Sequence, residues 1–173
     1  MINSEIERKY LLRNDSFRQM AVRKEHIAQG YLSVDPDRTI RVRHKDEKAY
    51  LTVKGQNREG SISHFEWEKE ITVADAEALL KFISETSSPR LGRGVGGEVI
   101  EKDRYLVSWH ELTIEVDVFH GQNEGLVLAE IELPSEDYRL PKLPDFIGED
   151  VTSDPRYYNS YLAEHPYTQW QSH

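Results

Sequence analysis

Cysteine is missing from all 173 residues. That removes disulfides and thiolate chemistry and fits a reducing compartment. No apolar run approaches the length of a membrane span, and the N-terminus lacks the apolar core of a signal peptide. The expectation is a soluble, cytoplasmic protein. Positive charge is short as well: 22 Lys and Arg stand against 31 Asp and Glu, for a net charge of −9. A phosphate backbone would be repelled, so neither nucleic acid nor a membrane is an expected partner. The seven histidines show no ligand spacing and are expected in surface or loop positions. No repeat, low-complexity block or linker divides the chain. One domain is expected over residues 1–165, with 166–173 as a tail; this length suffices to bury about 70% of the unfolded surface.

What the chain has in abundance is alternation. In the opening stretch MINSEIERKYLL, strand periodicity puts Glu5, Glu7 and Lys9 on one face and Ile6, Arg8 and Tyr10 on the other. A solvated sheet face would explain that strand taken alone. A short helix is expected near 16–24 and a strand at 26–34. TIRVRH and AYLTVKG form a hairpin, with Arg41, Arg43, Thr52 and Lys54 on one face. HFEWEKEI sets Glu66, Glu68 and Glu70 against Phe65, Trp67 and Ile71, and a helix is expected at 74–86. Gly92, Gly94 and Gly97 match G-x-G-x-x-G, but a dinucleotide fingerprint needs a strand before it and a helix after it. Here the glycines read as a loop. Three further runs carry Lys102/Arg104, Glu115/Asp117 and Glu130/Glu132, and Ser153-Asp154-Pro155 opens a last helix. Trp67 and Trp109 read as core, while Trp170 falls in the tail.

Within each run the sign of the charge barely mixes. An ordinary solvated face intersperses signs, so segregated rows indicate a sheet curled until its charged faces converge. The apolar faces then pack outward under amphipathic helices. About eight strands would close such a barrel around one elongated ligand. The expected fold is therefore α+β: an eight-stranded antiparallel β-barrel with a charged lumen and flanking helices. The rows supply six cations (Lys9, Arg41, Arg43, Lys54, Lys102, Arg104) and nine carboxylates (Glu5, Glu7, Glu66, Glu68, Glu70, Glu115, Asp117, Glu130, Glu132). Six converging cations suit a polyphosphate. Nine carboxylates beside it require divalent cations, because carboxylate and phosphate oxygens together form the shell that Mg²⁺ or Mn²⁺ prefers. Two ions roughly 3.5–4 Å apart could clamp the phosphates.

These motifs resemble the CYTH-domain triphosphate tunnel metalloenzymes of the adenylate cyclase–thiamine triphosphatase superfamily, whose hallmark is an E-x-E-x-K strand. Here that strand is Glu5-Ile6-Glu7-Arg8-Lys9, and the likeness continues through QGYL, IRVR, TVKG, FEWE, EKDRY, EVDVF, AEIEL, GEDVT and RYYN. Short bacterial inorganic tripolyphosphatases are the nearest in kind. The resemblance implies a triphosphate tunnel of eight antiparallel strands working with Mg²⁺ or Mn²⁺. By position, Lys9, Arg41, Arg43, Lys54, Lys102 and Arg104 match phosphate-binding bases, and Glu5, Glu7, Glu130 and Glu132 match the main metal-binding acids. Glu66, Glu68 and Asp117 match supporting acids, in which pairing with the bases is an equal role. Glu70 and Glu115 divide between lumen lining and salt bridging. Tyr31 matches a tunnel-facing tyrosine that bonds water or phosphate. Relatives often have a lysine where Ser160 stands, so one phosphate contact is absent here.

The function this implies is metal-dependent hydrolysis of inorganic tripolyphosphate, with Lys102, crowded by Arg104, as a candidate base. The alternatives are a class IV-type adenylate cyclase, a thiamine or nucleoside triphosphatase, or a non-catalytic polyphosphate or nucleotide binder. The partner expected is a small-molecule triphosphate, bound by a monomer or homodimer. Phe65, Trp67 and Tyr105 alternate with charged positions and should point away from the lumen. That leaves Tyr31 as the one aromatic available to a nucleoside.

Overall fold

The computed structural model of the chain describes residues 2–35, 37–56, 63–86 and 98–170, apart from the side chains of 2–5, 56, 63 and 64. The alternating runs form β1 (Ile2–Leu12), β2 (Arg23–Ser33), β3 (Thr39–Lys45), β4 (Lys48–Gln56), β5 (Ser63–Ile71), β6 (Ile100–Trp109), β7 (Leu112–Phe119) and β8 (Val127–Glu132). A ninth strand, β9 (Ile147–Asp150), goes beyond the eight expected. The order is β5-β4-β3-β2-β6-β7-β8-β1-β9, and β1 also pairs with β5. In β1, Ile2–Ile6 run antiparallel to β5 and Glu7–Leu11 run antiparallel to β8. The two sides of the eight-strand order thereby meet, and the sheet becomes barrel-like. β9 is added beside β1, with Tyr10 opposite Asp150 and Leu12 opposite Ile147.

Two tight turns keep neighbouring strands in register. Lys45 faces Lys48 and Trp109 faces Leu112, each across two residues of which the first, Asp46 or His110, has positive φ. Asp46 also accepts the His26 backbone N–H through its side chain, tying the turn to β2. Among the described residues three α-helices accompany the sheet: α1 (Phe17–Met20), α2 (Val73–Thr86) and α3 (Asn159–Glu164). The first is much shorter than 16–24. Ala21 is extended, the Val22 N–H bonds to the Leu106 carbonyl, and β2 begins at Arg23 opposite Leu106. Sheet pairing there displaces the rest of the helix. α2 starts as its sequence suggests, with the Asp75 N–H donating to Thr72 Oγ1. The last helix is broken: a 3₁₀ turn over Pro155–Tyr157, an extended Tyr158, then α3. No helix among the described residues is long and apolar enough to cross a membrane. The glycine match at Gly92, Gly94 and Gly97 lies outside the described residues.

Apolar surface is buried in three places. α2 covers β2–β4 through Ala76 and Ile83 against Val42 and Ala49. Gly30 allows that approach, since a Cβ there would stand 3.1–3.2 Å from Ile83 and Leu80 side-chain atoms. A second cluster joins the outer faces of β1 and β6–β8 (Tyr10, Val107, Ile114, Val116, Ile131) to Phe17 and Phe146. Trp109 packs on it, its Nε1 donating to the Lys142 carbonyl; Trp67 is half-buried. The third cluster departs from a wholly polar lumen. Ile100, Phe119 and Leu128 lie on the same strand faces as Lys102, Asp117 and Glu130, and with Tyr31 they pack against Leu162 and Ala163 of α3. One end of the barrel is therefore plugged by side chains, and the charged rows occupy the remainder. Trp170 belongs to this end, its ring 5.4 Å from Tyr157 and 5.0 Å from Tyr167.

Candidate active site

Strand alternation brings the charged rows to one cavity of about 710 Å³. Of the fourteen residues expected in the site, Glu7, Lys9, Tyr31, Arg41, Arg43, Lys54, Glu66, Glu68, Lys102, Arg104, Glu130 and Glu132 line it. The Glu5 side chain lies outside what the structure describes. Asp117 is buried behind the wall, bonded to Arg104 and Lys102. It pairs with those bases, the contact that one of its two expected roles requires. Glu115 both lines the cavity and accepts from Arg104 Nη1 at 3.0 Å. Glu70 does neither: it is exposed near the open end of β5. Ser160 is at the wall.

The bases are held by partners from adjacent strands, because the register places them side by side. Arg104 faces Asp117 across β6–β7 and makes a two-pronged bond to it, Nε to Oδ1 at 2.7 Å and Nη2 to Oδ2 at 2.9 Å. Burial works against that guanidinium, but Asp117 and Glu115 keep its pKa well above the ordinary value. Lys102 Nζ forms an ion pair with Asp117 Oδ2 and donates to Asn159 Oδ1, each at 2.8 Å. Burial pushes Lys102 down to about 7; Arg104 and Arg43 push the same way, against the pull of Asp117. Lys9 faces Glu130 across β1–β8, with Nζ 3.5 Å from Oε1 and bonded to the Tyr157 carbonyl at 2.9 Å. Glu130 and Glu7 outweigh the desolvation of Lys9 and raise its pKa. Burial would raise the pKa of Glu130, yet Lys9, Arg104, Lys102 and Lys54 hold its carboxyl far below the usual range. Glu115, beside Glu130, is raised by burial despite Arg104.

The two β3 arginines differ. Arg41 Nη2 donates to Thr52 Oγ1 at 3.3 Å and lies 3.8 Å from Glu68, and its buried Nε has no partner among the described residues. Arg43 bonds through Nε to Gln29 Oε1 at 3.0 Å. Burial lowers its pKa to about 10, with Arg41 and Arg104 adding to the effect.

Sequence reasoning overlooked several residues. Gln29 and Lys45 were reachable, because Gln29 shares its strand face with Tyr31, and Lys45 continues the Arg41/Arg43 row into the cavity wall. Asn159 was not, because its place depends on the break at Tyr158. That break also turns Tyr158 and Tyr161 into the cavity wall, so Tyr31 is not its only aromatic. Phe65, Trp67 and Tyr105 do not line it, and Tyr105 instead packs on Phe17 at 5.3 Å.

For a divalent cation the available donors are carboxylate oxygens. Glu7 faces Glu132 and Glu115 faces Glu130, all at the wall, and Glu130 is held ionised. Such hard oxygen donors fit Mg²⁺ or Mn²⁺. No three acidic or histidine side chains among the described residues form a ready metal site by themselves. No histidine among the described residues lines the cavity, and His26 and His120 bond Asp103 on the outer face of β6, each at 2.9 Å.

The CYTH domain family matches residues 3–158. An inorganic triphosphatase of Acetivibrio thermocellus is 43% identical over 166 residues, covering 96% of this chain and 97% of that protein. One from Nitrosomonas europaea is 32% identical over 163 residues, covering 92% and 97%. Among solved structures, the inorganic triphosphatase NE1496 aligns with a TM-score of 0.59 and 30% identity, over 92% of this chain and 93% of that one.

Proposed function

The chain belongs to the CYTH domain family, and from that premise we propose that it hydrolyses inorganic triphosphate in a reaction requiring a divalent cation, Mg²⁺ or Mn²⁺. The observation that carries the reading is the convergence of seven Lys and Arg side chains with Glu7, Glu130 and Glu132 on one cavity. Triphosphatase activity in two relatives that align over nearly the whole chain supports it.

Arg41 and Arg43 have guanidinium donors to give to phosphate oxygens, Lys54 adds charge from the neighbouring strand β4, and Lys9 adds charge from β1. Glu7, Glu130 and Glu132 would hold the cation, its shell completed by phosphate oxygens. When bound, it neutralises phosphate charge and makes water more acidic. Lys102 is suited to receive the proton. With its pKa near 7 the amine is neutral in much of the protein at physiological pH. Water attacks the terminal phosphorus, its proton passes to Lys102 Nζ, and the anhydride P–O bond breaks to leave phosphate and pyrophosphate. Arg104 and the β3 arginines stabilise the charge that develops on the phosphoryl oxygens.

The test is phosphate release from tripolyphosphate, ATP, thiamine triphosphate and pyrophosphate with Mg²⁺ or Mn²⁺, with cyclic AMP measured alongside. Tripolyphosphate should be the best substrate. Binding without turnover would favour a polyphosphate-binding module, and accumulation of cyclic AMP a cyclase.

A further inference from the structure

Arg43 is unlike the other cations of the cavity. Lys9, Arg41, Lys45, Lys54, Lys102 and Arg104 each stand within 3.8 Å of a carboxylate oxygen. For Arg43 the contact of that kind is Gln29, a neutral amide with no exposed surface. Gln29 Oε1 accepts from Arg43 Nε at 3.0 Å. Its Nε2 donates to Asn159 Oδ1 at 3.0 Å and to the Tyr31 hydroxyl at 3.3 Å. Asn159 Oδ1 in turn accepts from Lys102 at 2.8 Å. One buried amide thus ties β3 to β2 and, through α3, to β6.

We propose that Gln29 is a positioning residue: it fixes the Arg43 guanidinium by its Nε, turns both terminal nitrogens toward the cavity, and does so without cancelling the charge. A guanidinium has five N–H donors, and binding Nε leaves the Nη1/Nη2 edge free to grip phosphate. A carboxylate at the same place would orient Arg43 equally well and neutralise it. The amide separates the two effects. Gln29 is not at the cavity wall, so it acts through Arg43 and Asn159 rather than on the ligand.

This rests on the triphosphate reading for its probe, and the experiment keeps the two apart. Tripolyphosphate binding is measured by calorimetry for wild type, Gln29→Leu, Gln29→Glu and Arg43→Lys, and for both Gln29 variants in the Arg43→Lys background. Each variant is screened by circular dichroism and melting temperature. Gln29→Leu should weaken binding about tenfold, the scale of one hydrogen bond to a charged group. In the Arg43→Lys background, which has no Nε, the same change should matter less than twofold. Gln29→Glu keeps a partner for Arg43 but gives up the donor to Asn159 Oδ1 and the Tyr31 hydroxyl. It should weaken binding about tenfold or more through the added charge, beyond the loss in Gln29→Leu, which gives up the same donor without adding charge. Equal losses from Gln29→Leu in both backgrounds, or wild-type binding by Gln29→Glu, would overturn the proposal. If Gln29→Leu does not fold, Gln29→Glu decides it. If wild type fails to bind tripolyphosphate, the triphosphate reading falls. The Arg43 Nε–H signal in ¹H–¹⁵N spectra then tests the contact: slow exchange in wild type, lost in Gln29→Leu, supports it, and unchanged exchange overturns it.

Discussion

Arg41 and Arg43 stand two residues apart on one strand face, but their charges are not equally available. Glu68 lies 3.8 Å from Arg41, whereas the hydrogen-bond partner of Arg43 among the described residues is the Gln29 amide. Arg43→Ala should therefore weaken tripolyphosphate binding more than Arg41→Ala, by roughly 10–100-fold, and lysine replacements should recover only part because the fork is lost. Calorimetry on the four variants decides the ranking. Lys102 titrates near 7, and its neutral form is the one able to accept a proton. Activity should accordingly rise as pH increases from about 6 to 8. Lys102→Arg, charged throughout, should lose that limb and at least about 10²-fold in kcat. Glu130→Gln should lower kcat by about 10²-fold or more and raise the Mg²⁺ concentration needed. Full turnover by Glu130→Gln, or in excess EDTA, would defeat the metal-dependent scheme.

At the scale of elements, the outer side of the barrel has its own clamp. Asp103 of β6 accepts from His26 of β2 and from His120 just after β7, so one carboxylate joins three neighbouring segments. Burial works against this carboxylate, but the bonds from His26 and His120 lower its pKa below the usual 3.8. A carboxyl depressed in the folded state lends stability in full above its unfolded pKa, and loses it as pH falls through the folded value. Asp103→Asn should thus lower the melting temperature at neutral pH, with the difference closing below about pH 4. Thermal melts across that range test it. Strands of this kind were legible in the chain because period-two alternation is local: the charged runs of β1 and of β3–β8 are strands as read, although the Glu5 side chain lies outside the described residues and Glu70 is exposed. β9 was not, since its four residues IGED carry no alternation and depend on the edge of β1. The length of α1 escaped for a related reason, as β2 claims Arg23 through its pairing with Leu106. Charge marked most of the site, while Gln29 and Asn159 were silent because uncharged amides look alike whether they bond solvent or an arginine.

Over the whole molecule, seven cations and their acidic partners are held close around a cavity. A ligand that binds only the folded state stabilises it by mass action, so tripolyphosphate with Mg²⁺ should raise the melting temperature in a concentration-dependent way. No shift at millimolar ligand would count against the cavity as a polyphosphate site. ATP should be the poorer substrate by kcat/KM even though Tyr158 and Tyr161 reach the wall. The Tyr161 ring already stacks on His165 at 4.3 Å, and Tyr158 lies 5.4 Å from Lys9 Nζ, so neither offers a free clamp for a base. Clear preference for ATP would reverse this. The double pairing of β1 also bears on how the chain reaches this state. Lys9 meets Glu130 roughly 120 residues later, so β8 must exist before the second half of β1 has its partner. On a ribosome the first strand would emerge early and wait, its edges unpaired and open to wrong neighbours. Such long-range closure should make refolding slow for a chain of this size, in the range of roughly milliseconds to seconds or longer, with β1 protected from hydrogen exchange late. Pulse-labelling during refolding would reveal the order.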